Sequence, residues 1–160
     1  FEMKRNFPIF VSQPYIYIAN NYDNVNCLIR ELPQHSFGLK MLFPVIALSG
    51  LKFLRPELTA FPLYVTKTEL TTVTLIYDAW YDFGILGVVA FCALLGFVAA
   101  RLEKKRREQH SPVFCMFYAQ FSIYIMLSFF TTWFSNPATW VYFLETGLVA
   151  WFIGGKRQWG

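Results

Sequence analysis

Long uncharged stretches separated by short polar segments dominate the second half of the chain. Residues 83–100 contain no charged side chain, and neither do residues 111–144. A helix over the first stretch is about 27 Å long, close to the hydrocarbon thickness of a bilayer. The second stretch is too long for one straight crossing, and Ser135-Asn136-Pro137 divides it. The pattern predicts three transmembrane helices, at 83–100, 112–134 and 137–155.

The apolar segments in residues 1–82 are shorter and less regular. Residues 7–19 are apolar, but thirteen residues with two prolines are too few to cross a bilayer. Residues 41–54 are also apolar, with Pro44 and Gly50 interrupting them. We expect 41–54 to be interfacial or re-entrant, and a full crossing is the less favoured alternative.

A further helix is predicted near 68–82. Thr66 and Glu69 fit a capping box at its start. One predicted face carries apolar residues at helical spacing, Leu70, Val73, Tyr77 and Trp80. Another carries hydroxyls and carboxylates at steps of three and four residues, Thr71, Thr74, Asp78 and Asp82. This polar stripe would lead directly into the first predicted span.

Composition supports a membrane protein. Hydrophobic residues make up 56% of the chain and charged residues 15%, against roughly 25% charged in soluble domains. Aromatic residues reach 20%, which also excludes a disordered chain. We therefore predict an all-α fold, a polytopic integral membrane protein with a long extracytoplasmic loop. Because the chain opens on Phe1, we expect it to be part of a longer multi-pass protein.

The basic residues indicate the orientation of these spans. Residues 1–82 carry seven basic and seven acidic side chains, whereas residues 83–160 carry seven basic and three acidic. Five of these later basic residues lie in 101–110, and the others are Lys156 and Arg157. Both groups flank apolar spans, so we expect them to be cytoplasmic and 1–82 to be extracytoplasmic. Nucleic acid is not expected as a partner.

The best chemical constellation is the pair of carboxylates Asp78 and Asp82. Two carboxylates one helical turn apart repel, and one of them could act as a general base. The alternative is that Asp82 only caps the following helix and Asp78 is solvated or ion-paired. Tyr77 and Tyr81 suit sugar stacking or interface anchoring equally.

Cations of the loop are candidates for binding an anionic substrate. Arg30, Arg55 and Lys67 are the predicted binding residues, and Lys40 and Lys52 are further cations of the same loop. Pairing with nearby carboxylates or lipid headgroups is the alternative.

Glu145 lies within the last predicted span, where a charge is costly. Ion coupling and a hydrogen bond to a neighbouring helix are both open for it. The cysteine and histidine spacings predict no metal site, and without a glycine-rich phosphate loop no cofactor is expected.

Three segments together resemble a known family. They are Tyr15-Ile-Tyr-Ile-Ala-Asn-Asn-Tyr-Asp-Asn, Thr68-Glu-Leu-Thr-Thr-Val and Tyr77-Asp-Ala-Trp-Tyr-Asp-Phe-Gly-Ile-Leu-Gly. This order resembles the C-terminal half of bacterial oligosaccharide repeat unit polymerases (O-antigen, or Wzy-type, polymerases). In that family a long extracytoplasmic loop is followed by a similar entry into the next transmembrane helix, here Asp82-Phe-Gly-Ile-Leu-Gly87.

The resemblance implies glycosyl transfer at the outer face of the bacterial cytoplasmic membrane. A glycan on undecaprenyl pyrophosphate would be moved onto a lipid-linked repeat unit during O-antigen, capsule or exopolysaccharide synthesis. The implied partners are this lipid-linked oligosaccharide, the bilayer and other polysaccharide-assembly membrane proteins. In this interpretation Asp78 or Asp82 activates the acceptor hydroxyl. Two alternatives stay open, a multi-pass transporter or flippase and a non-catalytic membrane scaffold.

The predicted orientation is testable by labelling. A single cysteine introduced as Lys105→Cys, after replacement of the native cysteines, should resist an impermeant thiol reagent in intact cells and react after permeabilisation. A cysteine at Lys67 should react in intact cells. Labelling of position 105 without permeabilisation would contradict the orientation.

Overall fold

The computed structural model describes residues 8–109 and 111–156, and these residues are mostly helical. The helices are α1 (Ile9–Glu31), α2 (Phe43–Leu48), α3 (Leu51–Leu54), α4 (Leu75–Gln109), α5 (Pro112–Met126) and α6 (Pro137–Lys156), with 3₁₀ turns at Pro56–Thr59 and Trp133–Ser135. No strand occurs within these described ranges. The predicted all-α class is confirmed.

One helix of the described chain, α4, is long and apolar enough to cross a membrane. The predicted span at 112–134 is wrong at its end, because α5 stops at Met126 and the chain turns before the 3₁₀ segment Trp133–Ser135. Helix α6 matches the predicted 137–155 almost residue for residue. The boundaries of the last helix are therefore confirmed, whereas a three-span arrangement stays a prediction.

Helix α4 consists of two arms that meet at Gly84. Gly84 has φ 61° and ψ −147°, a backbone conformation that is essentially restricted to glycine. A Cβ atom at Gly87 would lie 2.5 Å from the carbonyl oxygen of Ala79. Eight residues of straight helix would separate these positions by about 12 Å along the axis. The first arm, 75–83, therefore folds back against the second arm, 85–109.

This reversal creates a docking point for the preceding loop. In an unbroken helix the carbonyls of Tyr81 and Asp82 would accept hydrogen bonds from residues 85 and 86. Here the backbone N–H of Ser36 donates to the Tyr81 carbonyl and that of Phe37 to the Asp82 carbonyl, both at 3.2 Å. The kink thus fixes the loop that follows α1.

The predicted helix near 68–82 forms only from Leu75 onward, and its first part is wrong. Residues 60–74 have an irregular backbone with one turn at 68–69. The amides of Asn20 and Asn24 in α1 bind the carbonyls of this segment, at 2.9 Å and 3.0 Å from the Leu70 oxygen. Side-chain hydrogen bonds from another helix replace the expected capping box.

Three other predicted segments differ from what the structure shows. Residues 9–31, expected within a loop, form the single helix α1 despite an internal proline. Within the expected cytoplasmic loop 101–110, residues 101–109 continue α4, where Glu103 pairs with Arg106 and Arg107, and residue 110 lies outside the described residues. The 41–54 segment forms the short helices α2 and α3, and six residues of helix reach only about 9 Å, so a full crossing is wrong there.

Two buried clusters hold these elements together. The first joins α1 to the first arm of α4 and contains Val25, Leu28, Tyr77 and Tyr81. The second joins the second arm to α5 and the 3₁₀ segment and contains Leu95, Phe121, Tyr124 and Phe134. The first arm of α4 contacts both clusters, since Tyr77 and Tyr81 belong to the first and Leu75 packs against the second.

The reversal makes Gly84 and Gly87 sensitive to substitution. Gly84→Ala forces a side chain into a glycine-only conformation, and Gly87→Ala places a methyl group against the Ala79 backbone. Each should lower stability by about 1–3 kcal/mol. Thermal unfolding in detergent measures the change. Gly96→Ala is the matched control, since no atom lies within 4 Å of its added Cβ, and an equal loss in Gly96→Ala would contradict the fold-back.

Candidate functional site

A cavity of about 270 Å³, lined by both polar and apolar side chains, opens beside the first arm of α4. Its walls come from the loop after α1, the irregular segment 60–74, the first arm and the turn between α5 and α6. The lining residues are Lys40, Phe43, Thr59, Phe61, Leu63, Val73, Tyr77, Asp78, Thr132 and Ser135. One carboxylate, one ammonium group and three hydroxyls are thereby brought together with aromatic rings.

Asp78 is the acidic group of this cavity. It is only 4% exposed, and its Oδ1 lies 3.7 Å from Nζ of Lys40. It lies in the first arm of α4, before the uncharged run 83–100. The hydroxyl-bearing residues Thr132 and Ser135 line the same cavity. A carboxyl in this environment is suited to accept a proton.

Three aromatic rings surround the ammonium group of Lys40. Its Nζ lies 4.6 Å from the ring centroid of Tyr81, 5.3 Å from that of Phe61 and 5.6 Å from that of Tyr77. At these distances the ring faces attract a cation, and more strongly where water is excluded. Lys40 was not among the predicted binding residues, although it belongs to the same set of loop cations.

Asp82 binds the loop that follows α1. Its carboxylate is fully buried and accepts hydrogen bonds from the backbone N–H of Lys40 at 3.1 Å and of Met41 at 2.8 Å, as well as from the Ser36 hydroxyl. It therefore caps the loop at residues 40 and 41, and the expected cap on a helix starting at 83 is wrong because Gly84 breaks the backbone there. Asp82 does not line the cavity.

Tyr77 and Tyr81 belong to the packed core. The Tyr77 hydroxyl donates to the Tyr64 carbonyl and accepts from the Tyr64 N–H, at 3.0 Å and 2.9 Å. Tyr77 is fully buried within the cavity wall, and Tyr81 is 4% exposed. Of the two predicted sugar-stacking rings, the structure brings only Tyr77 to the cavity wall.

The predicted cations are located elsewhere. Arg30, Arg55 and Lys67 are exposed, and none of them lines the Asp78 cavity. Arg30 lies in a separate polar cleft with Asp23 and Glu31. Among the described residues, three or more side chains that could hold a metal ion do not come together anywhere.

Glu145 is exposed on α6. The neighbouring Thr146 instead makes the inter-helix contact, since its hydroxyl donates to Oε1 of Gln120 in α5 at 2.8 Å. The hydrogen bond that links these two helices therefore comes from the residue next to the predicted charge.

Sequence reasoning also missed the asparagines of α1. Asn20, Asn21 and Asn24 are at most 1% exposed, and they bind carbonyls of the irregular segment and of the turn after α5. Their spacing on one helix face was an available signal, because polar residues so close together on a helix in an apolar chain indicate bonded partners.

Comparisons of the chain with protein-family models, with curated proteins and with solved structures found no match.

The contacts of Asp82 predict a local effect of its removal. Asp82→Ala should increase hydrogen exchange at the amides of Lys40 and Met41, because both lose their acceptor. An increase of about tenfold corresponds to a loss of roughly 1.4 kcal/mol, as expected for charge-assisted hydrogen bonds. Glu57→Gln, which changes an exposed carboxylate in the same region, is the control. Unchanged exchange in Asp82→Ala would contradict this capping role.

Proposed function

We propose that the chain belongs to a membrane glycosyltransferase of the oligosaccharide repeat unit polymerase class. It would act at the outer face of the bacterial cytoplasmic membrane, on glycans carried by undecaprenyl pyrophosphate. The observation that supports this most directly is the buried Asp78 carboxylate, which lines a cavity beside an apolar helix long enough to cross a bilayer.

The cavity has the size and surface that a single sugar ring requires. Its volume of about 270 Å³ lies close to the lower limit of roughly 300 Å³ for small-molecule sites. Phe43 and Phe61 offer ring surfaces, and Thr59, Thr132 and Ser135 offer hydroxyls. One ring of an acceptor sugar fits this space, while the remainder of a glycan would extend outward.

The proposed reaction uses Asp78 as the base. The oxygen of an acceptor hydroxyl attacks the anomeric carbon of the donor glycan, and its proton passes to the Asp78 carboxylate. The bond from that carbon to the pyrophosphate oxygen breaks, and the pyrophosphate leaves with the electron pair. A general base typically contributes about 10²–10⁴ in rate.

The position of the cavity suits a substrate held in a membrane. The first arm of α4 folds back along the second arm at Gly84, with Ala79 packed against Gly87. Asp78, next to Ala79, therefore lies beside the beginning of the apolar arm. In the predicted orientation this position is at the outer face of the cytoplasmic membrane, where the headgroup of a lipid-linked sugar would be.

The transporter alternative receives less support from the described residues. Ion coupling through Glu145 requires a protected polar path, whereas Glu145 is exposed on α6. A scaffold gives no reason for an ion pair enclosed beside a cavity, since such pairs cost desolvation energy.

Replacement of Asp78 tests the proposal. Asp78→Asn keeps the size of the side chain but removes the base, so glycan transfer should fall about 10²-fold or more. The assay is the polymer length on gels from cells that carry each variant in the full-length protein. Glu57→Gln and Glu145→Gln should give wild-type polymer.

Two outcomes would contradict the proposal. Long polymer in Asp78→Asn, at a membrane protein level equal to wild type, would exclude this residue as the base. Loss of function in Glu145→Gln with Asp78→Asn active would instead favour the transporter class.

A further inference from the structure

The ammonium group of Lys40 lies in the cavity wall with one loose ion pair as its polar contact. Among the residues that the structure describes, it forms no hydrogen bond, and the Asp78 carboxylate at 3.7 Å is its ion-pair partner. Charge-assisted N–H···O bonds are about 2.7–2.9 Å long, so this contact is loose. The Lys40 side chain is 14% exposed and lines the cavity. A ligand in the cavity can therefore reach its three donors.

We propose that Lys40 is the anion-binding residue of this cavity and that it takes an oxygen of a phosphate or pyrophosphate group. The assignment deepens the proposed function, on which the choice of a phosphorylated ligand rests. It replaces Arg30, Arg55 and Lys67 as the residues that would hold the leaving group. Anion binding itself requires no glycan transfer.

The backbone around Lys40 is fixed before any ligand arrives. Asp82 binds the N–H groups of Lys40 and Met41, and the carbonyls of residues 81 and 82 bind Ser36 and Phe37. These bonds connect the Lys40 segment to the reversal at Gly84. A donor positioned in advance costs little reorganisation on binding, which is the condition for strong electrostatic stabilisation. Asp82 is then a positioning residue that acts through Lys40.

The three rings around the ammonium group of Lys40 shield it from water. Phe61, Tyr77 and Tyr81 exclude water from the sides of the Lys40 head group without offering a carbonyl or carboxylate as partner. Charges interact more strongly where water is excluded than at a surface. Arg30, Arg55 and Lys67 are exposed to solvent, so each would attract an anion more weakly.

Asp78 and Lys40 together define two adjacent subsites. The hydroxyl-bearing residues Thr132 and Ser135 line the cavity together with the Asp78 carboxylate and the Lys40 ammonium group. An acceptor hydroxyl at Asp78 and a phosphate oxygen at Lys40 would lie within a few ångströms of each other. Transfer between a hydroxyl and a glycosyl phosphate requires this proximity.

The first test uses the wild-type, full-length protein in nanodiscs. Lysines are acylated with an amine-specific reagent, and the modification rate of each is measured by peptide mass spectrometry. The two probes are inorganic pyrophosphate and a polyprenyl pyrophosphate. We expect at least tenfold protection of Lys40 by one of these probes, with Lys52 of the same loop as the internal reference. Protection by both probes shows that the phosphate group suffices, and protection by the polyprenyl probe alone shows that a lipid-linked phosphate is needed.

The second test measures binding of the protecting probe to variants. Lys40→Gln should weaken binding at least tenfold, whereas Lys52→Gln, an exposed cation nearby, should bind as wild type does. Asp82→Asn should weaken binding less, and its Lys40 should become more reactive to acylation without probe. The acylation result does not depend on whether Lys40→Gln folds.

The failure of this assignment is distinguishable from that of the proposed function. Absence of Lys40 protection by either probe overturns the anion site, even if Asp78→Asn shortens the polymer. Protection of Lys40 together with full-length polymer in Asp78→Asn retains the anion site and rejects Asp78 as the base of glycan transfer.

Discussion

The reversal of the backbone at Gly84 is the constraint on which the rest of the structure depends. It folds a short arm carrying Asp78 and Asp82 back along an apolar helix, and its geometry is open to glycine alone. The same interruption provides the carbonyls that dock residues 36 and 37. Three residues of the Asp-Phe-Gly-x-x-Gly sequence from Asp82 to Gly87 have a structural role. The carboxylate caps the docked loop, the first glycine turns the chain, and the second admits the Ala79 backbone.

Buried polar side chains form hydrogen bonds with backbone groups that regular secondary structure would satisfy in other folds. Residues 60–74 lack helix or strand, so their backbone groups need other partners. Asn24 both donates to the carbonyls of Leu70 and Thr72 and accepts from the N–H of Thr66. Tyr77 does the same for both backbone groups of Tyr64. An irregular segment held in this way can form a cavity wall with a defined shape.

The cavity combines groups from distant parts of the chain, and its two charges differ in what satisfies them. The Asp78 carboxylate shares the cavity with hydroxyl-bearing residues of the turn after α5, whereas the Lys40 ammonium group lies among aromatic rings and forms a loose ion pair. Removing one member of a buried pair leaves the other unpaired, and this cost is large. For that reason the tests rely on size-matched changes and on labelling of the unaltered protein. Asp82 does not line the cavity, but it binds the backbone N–H of Lys40 and so helps to position that residue.

The sequence by itself determined the local features. Asn136-Pro137 located the start of α6, and Ser111-Pro112 located the start of α5. The absence of charges in 83–100 located the apolar arm. These signals are readable from sequence because each acts on neighbouring residues. Tertiary structure alone decided that helix begins at Leu75 instead of 68 and that Lys40, not Arg55, faces Asp78. The contacts responsible join residues that are 38 to 50 positions apart, such as Lys40 to Asp78 and Asn20 to Leu70. Helical periodicity carries no information about such pairs, since they depend on how the chain folds back at Gly84.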